Sequence, residues 1–203
     1  MIDKHIYAVR GLIKEHSDDS NFTDEFIYQF LVSARAEIIR QKVNKNHYKS
    51  RFNYQKVCMP LDCTSYEDCD GCLPDLGCKL RKSRFKVPSP ITSRSKDLLE
   101  VTTFSGERIS MLSPEAFDSS KKSLFLKDKP SYWISGQNLI VWQPISLKAV
   151  IIEAVFQDPT DLSDIKMCDK DGVIYDQACY NPLKDEFPMD ADIWEEVYMR
   201  TFS

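Results

Sequence analysis

Apolar positions recur at three- and four-residue steps through the stretch Phe22–Val43: Phe26, Ile27, Phe30, Leu31, Ala34, Ile38 and Ile39. That spacing puts them on one face of an α-helix. Thr23 can cap the first turn, and Asp24 and Glu25 suit the positive end of the helix dipole. Neither Gly nor Pro interrupts the run, so this helix is predicted to be the scaffold. Ile2, Ile6, Val9, Leu12 and Ile13 give Met1–His16 a second helical stripe, followed by a polar turn at Ser17–Asn21. Two helices joined by so short a loop are predicted to be antiparallel neighbours. The second should end near Asn44–His47.

Beyond Asn53 the period shortens. Tyr54–Met59 reads as a strand that Pro60 closes, and Cys63–Gly77 as a loop with Gly71, Pro74 and Gly77 as breakers. Arg84–Val87 reads as a strand running into Pro88. Leu98–Phe104 and Arg108–Leu112 form a predicted hairpin across Ser105-Gly106-Glu107. Tyr132–Ser135 and Leu139–Trp142 form a second around Gly136-Gln137-Asn138, and Ser113-Pro114-Glu115 carries a helix-start signature. Ala149–Phe156 is the most apolar strand and is predicted to be central in its sheet. From Asp158 the chain is polar and irregular, with a turn signal at Asp171-Gly172 and a last helix near Ala191–Met199.

No long helix lies between strands to make parallel crossovers, so the order predicts an α+β fold. Its parts are an antiparallel helical hairpin (1–48), a small antiparallel sheet of hairpins (49–157, with a Cys-rich loop at 58–78) and an acidic extended arm ending in a helix (158–203). The arm has too few apolar residues for a core of its own, so it is expected to be mobile in the monomer.

Composition narrows the class. A chain of 203 residues buries roughly 70% of its unfolded surface and needs no disulfide to hold together. No apolar run approaches the ~20 residues of a membrane span. The first sixteen residues scatter charges among apolar positions, unlike a signal peptide, so a reducing interior is expected. The net charge of −4 hides an asymmetry: residues 1–152 carry 23 Lys and Arg against 18 Asp and Glu, and residues 153–203 carry 4 against 13. Arg40–Lys56 and Lys79–Lys96 concentrate the cations. Either these are solvated surfaces, or the basic surface of one copy meets the acidic tail of a neighbour or nucleic acid nearby.

The cysteines are the main cluster with possible chemistry. Cys58, Cys63, Cys69, Cys72 and Cys78 fall within 21 residues. The thiolates of Cys63, Cys69, Cys72 and Cys78 could hold zinc tetrahedrally, and Cys69-Asp70-Gly71-Cys72 has the spacing of a zinc knuckle. A zinc ribbon uses two such pairs, however, and only one is present, so reduced loop cysteines and less than one zinc per chain are expected. Cys168 and Cys179 read as isolated. The three histidines have no nucleophile at a recognisable spacing, and no phosphate loop, dinucleotide fingerprint or HExxH occurs. Asp169-Lys170-Asp171-Gly172 lacks the closing Glu of a calcium loop. An enzyme or a resident cofactor is not expected. Tyr132, Trp133, Trp142 and Phe156 are expected to line a sheet core rather than to stack on bases.

Several short stretches carry a resemblance in their order along the chain. They are Ser17-Asp18-Asp19-Ser20 before Phe22-Thr23-Asp24-Glu25, then Ala34–Ile39, Arg81-Lys82-Ser83 and Val87-Pro88. Val155-Phe156-Gln157-Asp158-Pro159 and Phe187-Pro188-Met189-Asp190 complete the set. Together they are similar to the head–tail connector, or ring, proteins of crAss-like short-tailed bacteriophages. The resemblance implies a virion structural protein, assembled in the host bacterial cytoplasm, that forms a ring below the portal and carries the DNA channel toward the tail. Its implied partners are further copies of itself, the portal and neighbouring neck or tail rings, with DNA passing through unread. A portal of about twelve subunits makes a dodecamer the first expectation for a closed ring. With the charge asymmetry, it makes Arg40, Lys42, Lys45, Arg81, Lys82 and Arg84 candidate contacts for Asp161, Asp164, Asp169, Asp171 and Asp176. The competing expectation is a small zinc-stabilised regulatory or nucleic-acid-binding protein that uses the Cys-rich loop.

Overall fold

The computed structural model describes residues 2–16, 22–45, 50–64, 80–92, 98–113, 116, 129–142 and 147–200. Helix α1 is Asp3–His16 and helix α2 is Asp24–Asn44. The Thr23 hydroxyl accepts from the Phe26 N–H at 3.2 Å, the expected cap. Ile27, Leu31, Ala34, Ile38 and Ile39 of α2 are buried as their spacing predicts, and so are Val32 and Ala36. The helix is therefore covered on more than one side. Phe30 is half-buried against this core, and Phe26 is 55% exposed, stacked on Phe22 with ring centroids 5.0 Å apart.

The strands depart from the predicted sheet of hairpins. Seven of them close into a barrel in the order β1-β2-β6-β5-β4-β3-β7. They are β1 Gln55–Cys63, β2 Leu80–Ser83, β3 Leu99–Thr102, β4 Arg108–Met111, β5 Ser131–Ser135, β6 Asn138–Trp142 and β7 Ala149–Ala154. The most apolar strand, β7, is central as expected and pairs with both β1 and β3. One pair, β4 with β5, is parallel, which the reading of the sequence excluded. The 19 residues between these strands exceed the dozen or so that a parallel crossover needs.

Two strand boundaries also move. Pro60 does not close β1 but lies within it. Its carbonyl accepts from Arg84 N at 2.9 Å, so its missing N–H faces the end of β2 rather than the β7 ladder, where proline is tolerated. The strand expected at Arg84–Val87 sits four residues earlier. Ser83 ends it by donating to the Phe85 carbonyl at 2.8 Å and accepting from Leu139 N at 3.0 Å.

Both tight hairpins fall where the glycines placed them. Gly136 and Gln137 adopt φ of 53° and 67° between β5 and β6. Positive φ at both central residues fits a turn whose twist matches the flanking strands. Alternate residues fill the barrel: Val57, Met59 and Leu61 from β1, Leu139 and Val141 from β6, Val150, Ile152 and Ala154 from β7. Tyr132, Trp133, Trp142 and Phe156 are all buried, as expected of sheet-core aromatics.

The segment after Asp158 is not the coreless arm predicted. A 3-10 helix, Pro159–Asp164, leads into the hairpin β8 Lys166–Cys168 and β9 Ile174–Ala178. Leu162, Ile165 and Tyr180 join the barrel core, while Phe187 and helix α3 (Ala191–Arg200, through Ile193 and Val197) join the core around α2. Its apolar residues are few but consistently inward. Tyr28 of α2 donates to Asp158 Oδ1 at 2.5 Å, and Asp158 in turn caps the 3-10 helix. A disulfide joins Cys58 on β1 to Cys168 on β8, with Cα atoms 5.5 Å apart. The readings of Cys168 as isolated and of Cys58 as a reduced loop cysteine are corrected: the two are distant in sequence but adjacent in space.

Candidate assembly surface

Each charged residue singled out by the sequence has a defined place. On α2, Lys42 pairs with Glu196 of α3 at 2.5 Å. Arg40 is half-buried on α2, and Lys45 caps the helix in solvent. On the barrel, Arg84 holds Asp62 in a two-pronged contact of 2.9 and 2.6 Å. That contact keeps the Asp62 carboxyl below its ordinary range. Arg81 donates from Nη1 to the Leu61 carbonyl at 3.2 Å. Lys82 stands opposite Asp62 and Ile140 in register.

Three of the five candidate acids, Asp169, Asp171 and Asp176, have partners within the chain. Asp176 pairs with Lys166 at 2.6 Å, and Asp171 lies 3.7 Å from Lys148. Asp169 is a turn former. Its Oδ1 accepts from Asp171 N and Val173 N, its Oδ2 accepts from the Tyr175 hydroxyl, and these bonds hold its carboxyl below the ordinary range. Asp161 is held above it, by burial first and then by the charges of Asp158 and Asp164. Asp161 and Asp164 line one groove with Lys86.

The cysteine cluster is only partly described. Cys63 is disulfide-bonded, and Cys69, Cys72 and Cys78 lie outside the described residues. The helix-start signature at Pro114-Glu115 also lies outside them. Among the described residues no group of three or more His, Cys, Asp or Glu is placed to hold a metal. No helix among them is long and apolar enough to cross a membrane.

The sequence did not reveal a cleft on this surface. A cleft of about 600 Å³ opens between the start of β1 and the run leading into α3. Phe52, Leu162, Phe187, Pro188 and Met189 wall it, and Asp185, Glu186 and Asp190 supply the acids. Gln55 Oε1 and the Tyr180 hydroxyl, both on its lining, are buried without a hydrogen-bond partner, as is Oδ1 of the adjacent Asn53. Leaving such a group unpaired costs about 1–3 kcal/mol. Burial pushes the Tyr180 hydroxyl up to about 12, so it stays protonated and able to donate as well as accept. The one sequence signal was the acid pair Asp185-Glu186 directly before an apolar Phe-Pro-Met turn.

No curated protein matches the chain. The family model described as phage tail ring protein 2, of the crAss phages, matches residues 4–203, nearly the whole length. The order of motifs that resembled ring proteins thus runs through both the helical layer and the barrel, and the chain belongs to the crAss phage tail ring protein 2 family.

Proposed function

We propose that the protein forms a closed cyclic ring in the head–tail connector, directly below the portal, and that DNA leaving the capsid passes through its opening. The observation that carries this reading is the match to a ring-protein family over residues 4–203. The fold is compatible with it. Barrel closure removes the open edges of the seven-stranded sheet that would otherwise invite strand-to-strand aggregation. A closed ring needs two different patches that meet head to tail. In this reading the helical hairpin (1–48), the β region (49–157) and the C-terminal segment (158–203) divide the work of presenting those patches. Neighbouring copies, the portal and adjacent tail rings are the partners, and the ring has twelve copies to match the portal. The chain acts as structure, with no catalytic step.

Particle imaging tests this. Virions are expected to show a twelvefold ring of this chain in contact with the portal. Particles made without the protein are expected to retain filled heads but lack joined tails. A copy number other than twelve, or a position away from the portal, would overturn the corresponding part of the reading.

A further inference from the structure

No side chain of residues 166–178, the β8–β9 hairpin, is buried. The hairpin's own bonds are internal. Lys166 pairs with Asp176, and Asp169 closes the turn by accepting from Asp171 N, Val173 N and the Tyr175 hydroxyl. Its root lies in the barrel core, where Ile165 and Tyr180 are buried and Cys179 N donates to the Ile165 carbonyl at 2.8 Å. Beyond that root, its ties to the barrel among the described residues are unequal. Gly172 packs against the Lys148 carbonyl, so closely that a Cβ would come within 2.9 Å. Asp171 lies 3.7 Å from Lys148, an exposed pair of the kind that contributes little. The Cys58–Cys168 disulfide is the covalent tie. It joins β8 to the stretch of β1 that β2 does not reach, since β2 pairs with β1 only from Leu61.

We infer that this disulfide is a redox-operated strap. Closed, it pins the hairpin against β1; opened by a small-molecule thiol, it frees the hairpin while both cores stay packed. Cys58 and Cys168 are each half-buried, within reach of a small thiol, and partly exposed disulfides belong to the labile, regulatory class. The cores do not run through the hairpin, because Ile165 and Tyr180 anchor the chain on either side of it. Released, a lone two-stranded hairpin is only marginally stable in water, so its amides open to solvent. The third cysteine at this place does not compete for the bond. The Cys179 sulfur takes a hydrogen bond from the Cys58 backbone, but burial holds its thiol above the ordinary range, in the protonated form that attacks a disulfide poorly. On opening, two small-molecule thiols give two electrons and two protons to the Cys58 and Cys168 sulfurs and become joined by a new S–S bond. Closing is the reverse, with a small-molecule disulfide as oxidant. A reducing compartment therefore keeps the hairpin free, and an oxidising one keeps it pinned. The strap is a property of the single chain and does not depend on the ring reading.

Hydrogen exchange on the purified full-length chain, followed segment by segment, tests this. In the oxidised chain the amides of 166–178 are expected to be protected. A dithiol reductant is expected to speed their exchange at least tenfold, while the amides of α2 and β7 keep their rates. Cys168→Ser is expected to show the fast hairpin without reductant and no further change there on adding it, which separates this bridge from the one at Cys63. The oxidised and reduced parent decide the matter even where the variant does not fold. Reoxidation with glutathione disulfide is expected to restore protection, with peptide mapping that joins Cys58 to Cys168. Hairpin rates that ignore the reductant, loss of protection throughout the reduced chain, or reoxidation that joins Cys58 to Cys179 would overturn the proposal.

Discussion

Arg35 shows how much of the fold hangs on one side chain. It is fully buried in α2, donating from Nε to the Pro188 carbonyl at 2.7 Å and from Nη1 to the Phe156 carbonyl at 2.9 Å. Its guanidinium also lies 5.7 Å over the Phe187 ring. The scaffold helix, the end of the barrel and the approach to α3 are thus tied by one cation. Arg35→Leu keeps apolar volume but strips two buried carbonyls of a charged donor, each bond being worth about 1.5–3 kcal/mol. A loss of about 3 kcal/mol in urea unfolding is expected, and a loss below 1 kcal/mol would show that the ties are not formed. His5 makes a pH prediction at the same scale. Burial first, and the positive charge of Lys4 after it, hold its imidazole below the ordinary value near 6.5. The unfolded chain therefore binds a proton near pH 6.5 that the folded chain refuses until lower pH. Below about 6.5 the unfolded state gains relative to the folded one, and stability falls as pH drops. His5→Phe, which retains an aromatic edge for Trp194 at 4.3 Å, is expected to flatten that decline between pH 7 and 5. Identical slopes in parent and variant would remove His5 as its cause.

The bridge between β1 and β8 is the element-scale feature with the largest consequence. It closes a separation of 110 residues, for which chain entropy gives an upper value of roughly 4–5 kcal/mol. Cys168→Ser is expected to lower the melting temperature by several degrees under non-reducing conditions. An unchanged melt would mean the two thiols are not joined in solution. Deleting 158–188 has a harsher expected outcome, because it removes Leu162, Ile165, Tyr180 and Phe187 from two cores. The shortened chain should lose its cooperative unfolding transition, and a sharp transition like the parent's would restore the picture of a detachable arm. What the sequence disclosed and what it hid divide along physical lines. The helices, their Thr23 cap, the Gly106 and Gly136 turns and the central β7 were legible because each is set by neighbours within about four residues. Barrel closure, the parallel β4–β5 pair and the Cys58–Cys168 bridge join positions far apart, which no local period records. The cleft was hidden for the same reason, since Phe52 and Tyr180 meet only after folding.

At the scale of the whole molecule, a stable interior and a weakly held exterior have to coexist. The buried clusters are apolar, whereas a contact between copies made by the charged surface would use exposed side chains of both signs. Exposed ion pairs are each worth about 0–1 kcal/mol, so one contact alone cannot hold two chains. Repeated around the proposed closed ring, each chain would be held on both sides and the small terms would act together. This predicts different salt responses for assembly and folding. Screening shortens the reach of surface charge from about 10 Å at 0.1 M salt to about 3 Å at 1 M, while apolar burial is not weakened in the same way. Rings taken from particles should therefore release subunits between 0.1 and 1 M sodium chloride, as followed by sedimentation. The melting temperature of the free chain should change little over that range. Rings that survive 1 M salt would locate the binding energy in apolar contacts instead, and the charged pairs would then set register alone.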